Sequence, residues 1–532
     1  MDWLNRFLVM NELLLPLAFL IPLACALGIL LTGREEATAK ALAGIGFGAP
    51  FAIALYAFFK FETGENGYAF LTTPLNTGLQ DFGIQFQMGL NGISMPLFCL
   101  AGVVGLAAGI TAIRSEAERL PLYLFLLLVM HAGLMGIFTS VDIFFFYFFH
   151  ELALIPTFVM IGIWGSAERQ IAALEMTIYL TLGALVSLLG IVALYLAGGE
   201  GANLNMIELA AHLAENPISP ESQKTIFGLL LFGLGVLVSL FPTYSWAPRG
   251  YGSAPTSNAM LHAGVLKKFG IYGLIQVAAP LLPEGASSWS ATLTWLALGN
   301  VVLIGFVVLA QRDLKQMIGF GSVMHMGYCF LGLATLSVIG IGGAVLLMVA
   351  HGMSVALLFL LANYVQKRTG TLEMPDMGGL ASKSPVLAAF FVAATMASIG
   401  LPGFANFLGE FSIFNALWAK SGWLVAFAAL GILISAIYGL RAVSSIFFGE
   451  PSAQLVKKWE IQAPRDLDLW ERIPAVLLLA FMLLIGMKPL LISDDINTHV
   501  KSLQYEDTAP EMPEINVSSS IKVDNHNNGH DH

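Results

Sequence analysis

The 532-residue chain is 57% hydrophobic and only 11% charged, with a mean hydropathy of +0.77. A soluble protein carries about a quarter charged residues, so lipid is the solvent for most of this chain and a soluble enzyme is excluded. The net charge of -10 sits mainly in loops and tails, and no basic stretch invites nucleic acid.

The first apolar run, Leu13 to Thr32, follows the single cation Arg6 and is too long for a signal peptide, so it reads as a retained first helix. Further runs follow near Ala41 to Phe59, Ile93 to Ile113, Leu120 to Phe138, Ile143 to Trp164 and Ala173 to Ala197. The next set lies near Ile226 to Trp246, Ser257 to Ala278, Leu293 to Ala310 and Met317 to Leu336. The last lies near Val338 to Val365, Val386 to Leu417, Trp423 to Phe447 and Ile473 to Leu491. Each is long enough for a helix across a hydrocarbon core of about 30 Å, and barrel strands need only about ten alternating residues. An all-α membrane protein of about fourteen spans is the predicted fold.

With the N-terminus outside, the inner loops hold fifteen Lys and Arg and the outer ones seven, so the positive-inside rule places both termini on the outer face. The inner set includes Arg34; Lys267, Lys268 and Arg441 remain within spans. The tail after Asp494 is polar and acidic, and it reads as disordered rather than as a metal site built on His526, His530 and His532. Cys25, Cys99 and Cys329 lie in apolar runs without metal-ligand spacing, so any redox cofactor is expected in another chain.

A charge at mid-membrane costs several kcal/mol unless paired or hydrated, which makes ionisable residues there functional candidates. Glu151 falls about nine residues into its span; Lys268, His325 and His351 fall halfway along theirs, and Glu410 deep in its own. Carboxylate, lysine and imidazole all bind and release protons. His131, His150 and His262 are read equally as packing residues that hydrogen-bond between helices.

Two spans carry breakers: Ser239-Leu240-Phe241-Pro242-Thr243 in the seventh and Gly400-Leu401-Pro402-Gly403 in the twelfth. Non-helical backbone at such depth is tolerated where it lines protein or water. The breaks lie five helices apart, and an odd offset inverts one block against the other, the signature of an inverted repeat. Two ordinary proline kinks remain the alternative. The chain then divides into spans 1–3 (residues 1–119), a first five-helix repeat (120–285), a second (286–450), an inner loop with the last span (451–493) and an outer tail (494–532).

The run Phe148-Phe149-His150-Glu151-Leu152-Ala153-Leu154-Ile155-Pro156, with Gly162-Ile163-Trp164-Gly165, resembles the subunit M family of proton-pumping NADH:quinone oxidoreductase, respiratory complex I. Lys268-Phe269-Gly270-Ile271-Tyr272-Gly273, Gln311-Arg312-Asp313-Leu314-Lys315, His325-Met326-Gly327, His351-Gly352 and Gly409-Glu410-Phe411 extend the resemblance to antiporter-like subunits along the chain. It implies fourteen core helices in two inverted five-helix repeats, discontinuous helices 7 and 12, and a hydrated axis through the bilayer centre. By it Glu151 is the fifth-helix acid, Lys268 the relay lysine, His325 and His351 the bridge and Glu410 the outlet. NADH, FMN, iron–sulfur clusters and quinone would sit in partner subunits of the membrane-embedded complex, with no cofactor or metal in this chain. A multisubunit cation/proton antiporter or a membrane-bound hydrogenase uses related subunits. The compartment implied is a bacterial cytoplasmic membrane.

Where the family has a seventh-helix lysine this sequence has Leu237; the loop acid and histidine fall on Arg249 and Tyr251, and a sixth-helix lysine on Glu175. These departures cluster in the first half-channel, and they leave a scaffold whose first channel no longer conducts as a further reading.

Overall fold

A backbone in hydrocarbon has only its own carbonyls to bond, so long apolar runs must close their hydrogen bonds internally as helices. The computed structural model describes residues 2–32, 35–64, 66–166, 168–461, 463–503 and 505, with side chains from residue 12 onward. The side chain of Arg6, Arg34, and the tail beyond Tyr505 with His526, His530 and His532 lie outside the described residues.

The chain opens with α1 (Asp2–Leu31), α2 (Glu36–Phe59), α3 (Ser94–Ile113), α4 (Leu120–Thr139), α5 (Ile143–Trp164) and α6 (Arg169–Gly198). A short amphipathic α7 (Met206–Glu215) precedes α8 (Pro220–Val238), α9 (Trp246–Ser253) and α10 (Thr256–Gly264). A 3-10 turn, Leu266–Lys268, leads into α11 (Phe269–Gly273), a π-helical stretch Leu274–Ala278 and α12 (Ala279–Leu281). Then come α13 (Pro283–Leu298), π-helical Gly299–Ile304, α14 (Gly305–Leu309), α15 (Leu314–Thr335) and α16 (Val338–Thr369). The chain continues through α17 (Pro385–Ile399), α18 (Ala405–Ser421), α19 (Val425–Phe447), α20 (Ala453–Ile461), α21 (Leu469–Met487) and α22 (Leu490–Ser502).

Among the described residues twelve helices are long and apolar enough to cross a bilayer. The shortfall from fourteen arises at two places. The expected eighth span is cut into α10, the 3-10 turn and α11, and the expected twelfth is cut at Gly400 into α17 and α18. The seventh is also discontinuous, because α8 stops at Val238 and helix resumes only at Trp246.

Polar residues set the ends. Asp142 accepts from the amides of Phe144 and Phe145 at the start of α5, Asp313 accepts from the Gln316 amide at the start of α15, and Ser337 accepts from Gly340 at the start of α16. Asp468 and Glu471 form a reciprocal capping box on α21. Gly370, at φ 81°, takes the left-handed turn that ends α16.

Burial sorts the helices into layers. α16, with 32 residues and about 48 Å of length, is buried on nearly every face and is the central post, with α15 beside it. The peripheral α6 buries one side while Leu174, Leu182, Leu185 and Leu189 are exposed, a surface suited to lipid. Residues 494–502, expected in a free tail, belong instead to α22, which buries Ile492, Ile496 and Val500. Beyond it the Tyr505 hydroxyl donates to the Ile275 carbonyl at 2.9 Å.

Candidate proton-transfer site

The site is built where helix breaks bring polar groups to the central post. At the first break, Asn300 on the π-helical stretch before α14 holds the released backbone. Its Oδ1 accepts from the Phe241 amide at 2.7 Å, while its Nδ2 donates to the Ser239 carbonyl at 2.9 Å and the Val323 carbonyl at 3.1 Å. The Trp246 indole donates to the Val236 carbonyl at 3.0 Å, closing another freed group.

At the second break Gly400 (φ 82°) ends α17, and α18 carries Glu410, only 3% exposed, back towards it. A Cβ at Gly400 would collide with Glu410 Oε2, so the left-handed glycine both ends the helix and leaves the space that the carboxylate fills. Glu410 Oε1 lies 3.4 Å from His325 Nδ1 on α15. His325 Nε2 shares a 3.2 Å hydrogen bond with the Tyr438 hydroxyl on α19. With Nδ1 carrying its proton towards the carboxylate, Nε2 accepts from the tyrosine.

The His351 ring on α16 faces that of His325 at 5.4 Å between centroids. One turn before His325, Ser322 Oγ is 3.1 Å from His351 Nε2. Gly352 brings α16 against α10, since a Cβ there would strike the Gly264 carbonyl. Ser322, His325, His351, Ser398 and Tyr438 line a cavity of about 20 Å³, room for about one water. A wider cavity of about 600 Å³ lies at the end of α15 that carries Thr335. There Lys420 Nζ donates to the Ala334 carbonyl at 2.7 Å, a cation on the helix C-terminus.

The two lysines are both buried, at 1% and 0% exposure, and point differently. Lys268 Nζ donates to the Ala263 carbonyl at 2.6 Å, whereas Lys267 Nζ donates to Ser322 Oγ at 3.5 Å and sits 5.4 Å over the Tyr251 ring. Residue-by-residue reading had favoured Lys268 alone.

Glu151 stands apart from the rest. Its Oε1 is 3.5 Å from His150 Nδ1, and its side chain is 31% exposed on the flank of α5, near exposed Phe148 and Ile155. His150 stacks on Phe269 at 3.8 Å between centroids. His262 stacks on Trp246 and meets the Tyr251 ring edge-on. His131 packs on Phe47 with neither ring nitrogen hydrogen-bonded among the described residues. Among those residues no group of three His, Cys, Asp or Glu is placed to hold a metal ion.

The model of the family described as "NADH:quinone oxidoreductase/Mrp antiporter, TM" matches residues 140–435. The chain is 30% identical over 494 residues to NADH-quinone oxidoreductase subunit M of Rickettsia prowazekii, covering 92% of this chain and 98% of that protein. The chain belongs to the NADH:quinone oxidoreductase/Mrp antiporter family. A chain of respiratory complex I from Thermus thermophilus with bound NADH superposes with a TM-score of 0.82 at 28% identity, covering 92% of this chain and 98% of that one. A chain of the Mrp complex from Dietzia sp. DQ12-45-1b shares the fold, with a TM-score of 0.80 at 20% identity over 93% of this chain and 97% of its own.

Two of the residues singled out in the first half, Arg249 and Glu175, are in contact. Arg249 on α9 pairs with Glu175 on α6, which also accepts from Ser245 Oγ at 2.8 Å. Leu237 is buried against Gly183 of α6 and offers no proton. Ser322 and Tyr438 escaped the sequence reading; the signal for Ser322 was its position three residues before His325, on one helix face.

Proposed function

We propose that this antiporter-like subunit translocates protons in the membrane arm of a NADH:quinone oxidoreductase. The observation that carries the reading is the buried Glu410–His325 contact at the Gly400 break, with His351 facing it across a water-sized cavity. An acid and two imidazoles buried beside one another can exchange protons, and packing alone does not call for them. Glu410, His325, His351 and Lys268 form the second half of the route, and Glu151 the entrance of the first. Fourteen helices in two inverted five-helix repeats account for the breaks after Val238 and Ile399. Both termini lie on the outer side of a bacterial cytoplasmic membrane.

The half-exposed flank of Glu151 is suited to a neighbouring antiporter-like subunit that supplies a cation. Quinone reduction, with NADH, FMN and iron–sulfur clusters, belongs to partner subunits, so the isolated chain has no oxidoreductase activity. The test is proton uptake on quinone reduction in membranes carrying Glu410→Ala in an assembled complex. Loss of pumping by at least about tenfold is expected; undiminished pumping overturns the reading. A scaffold with an inactive first half-channel is the second reading, favoured by Leu237, and undiminished pumping supports it.

A further inference from the structure

We propose that Lys267 is the amine that hands protons to the second half of the site, by way of Ser322. This rests on the proton-transfer reading above and names a residue that reading does not require. Lys267 is buried between the Tyr251 ring and Ser322. On one side its ammonium lies 5.4 Å over the Tyr251 ring, and the same ring meets His262 edge-on at 5.1 Å. On the other side Lys267 donates to Ser322 Oγ at 3.5 Å, and Ser322 Oγ is 3.1 Å from His351 Nε2.

The polarity of this bridge is set by its donors. An ammonium has only protons to give, so Ser322 Oγ accepts from Lys267 and its own hydroxyl proton points at His351 Nε2. In the transfer Lys267 gives one proton to Ser322 Oγ while Ser322 gives its own to His351 Nε2. Lys267 ends neutral, Ser322 ends unchanged and His351 ends cationic, so one positive charge has moved from α10's exit turn to α16. Resetting needs one proton delivered to Lys267 and one released from His351 towards His325. Lys268 cannot replace this bridge in the geometry it has, because its ammonium is held on the Ala263 carbonyl at 2.6 Å. The 3-10 turn Leu266–Lys268 separates the two side chains, since consecutive residues there differ by about 120° in direction.

The competing role is a fixed charge that only steadies Tyr251, and lysine and arginine separate the two. A guanidinium keeps its charge and its cation–π contact but does not deprotonate in a protein. The experiment measures protons taken up per quinone reduced in membranes with the assembled complex for Lys267→Met, Lys267→Arg and Ser322→Ala, alongside Glu410→Ala. We expect both Lys267 variants to lose pumping at least tenfold, and Ser322→Ala to lose it several-fold. Retained pumping in Lys267→Arg, or in Ser322→Ala, overturns the proposal. If Glu410→Ala abolishes pumping in the same series, the proton-transfer reading stands without Lys267; if Glu410→Ala pumps normally, that reading falls too. Ser322→Ala removes the bridging hydroxyl while keeping both lysines in the chain, so it decides the question even where a Lys267 variant does not assemble.

Discussion

The two halves of the site solve the same problem with unequal means. In the second half polar side chains adjoin one another: Ser322 shares a hydrogen bond with His351, His325 shares one with Tyr438, and Glu410 lies 3.4 Å from His325. In the first half aromatic and aliphatic surfaces intervene, with His150 stacked on Phe269 and Leu237 packed against Gly183. Burial alone therefore does not make a proton path. What distinguishes the halves is whether neighbouring groups sit within hydrogen-bond reach or are separated by rings and methyls that carry no proton.

The sharpest way to break this contrast is to substitute one histidine in each half. His325→Asn removes the imidazole that lies between Glu410 and Tyr438, and proton pumping per quinone reduced is expected to fall at least about tenfold. His150→Asn, in the interrupted half, is expected to cost within about threefold by the same assay. Equal losses would erase the distinction. Next in size is Asn300→Ala, which leaves the Phe241 amide and the Ser239 and Val323 carbonyls without that partner. At about 1–3 kcal/mol for each buried group left unpaired, the thermal inactivation midpoint of the assembled complex drops clearly. An unchanged midpoint would mean that the break needs no such support.

The pair Arg249–Glu175 is a finer probe of the first half. Arg249 is 47% exposed, so a double-mutant cycle with Arg249→Ala and Glu175→Ala is expected to give coupling of at most about 1 kcal/mol. A larger value in thermal denaturation would make the pair a structural anchor.

The smallest effect lies outside the spans, on α22. Burial pushes the His499 imidazole down to about 4, against about 6.5 in an open chain. The undocked helix binds the proton first, so docking is at full strength above pH 6.5 and weakens as pH falls towards 4. Proteolysis of α22 is expected to accelerate between pH 7 and 5, and His499→Phe is expected to remove that dependence while keeping the contact with Tyr68.

The spans were legible because hydrocarbon demands uninterrupted apolar runs, and Pro242, Gly400 and Pro402 marked two breaks for the reason that backbone geometry requires. The 3-10 turn and the π-helical stretches carry no such punctuation, so the rotation that turns Lys267 rather than Lys268 towards Ser322 could not be read from spacing. His325, His351 and Glu410 stood out as ionisable groups in oil, whereas Tyr438 is an ordinary residue of an apolar helix until folding sets it beside His325. α22 was misjudged because its apolar positions recur on one face among Asp494, Asp495 and Lys501, and that pattern resembles a solvated tail until a partner surface covers it.

The vacancy left by the missing side chain at Gly400 makes the interruption of α17 and the seating of the Glu410 carboxylate a single device. Lengthening the helix there evicts the acid, and moving the acid opens a void at the turn. The tolerance of this position is governed first by its left-handed backbone, which strains any side chain, and only then by the carboxylate, which can shift aside.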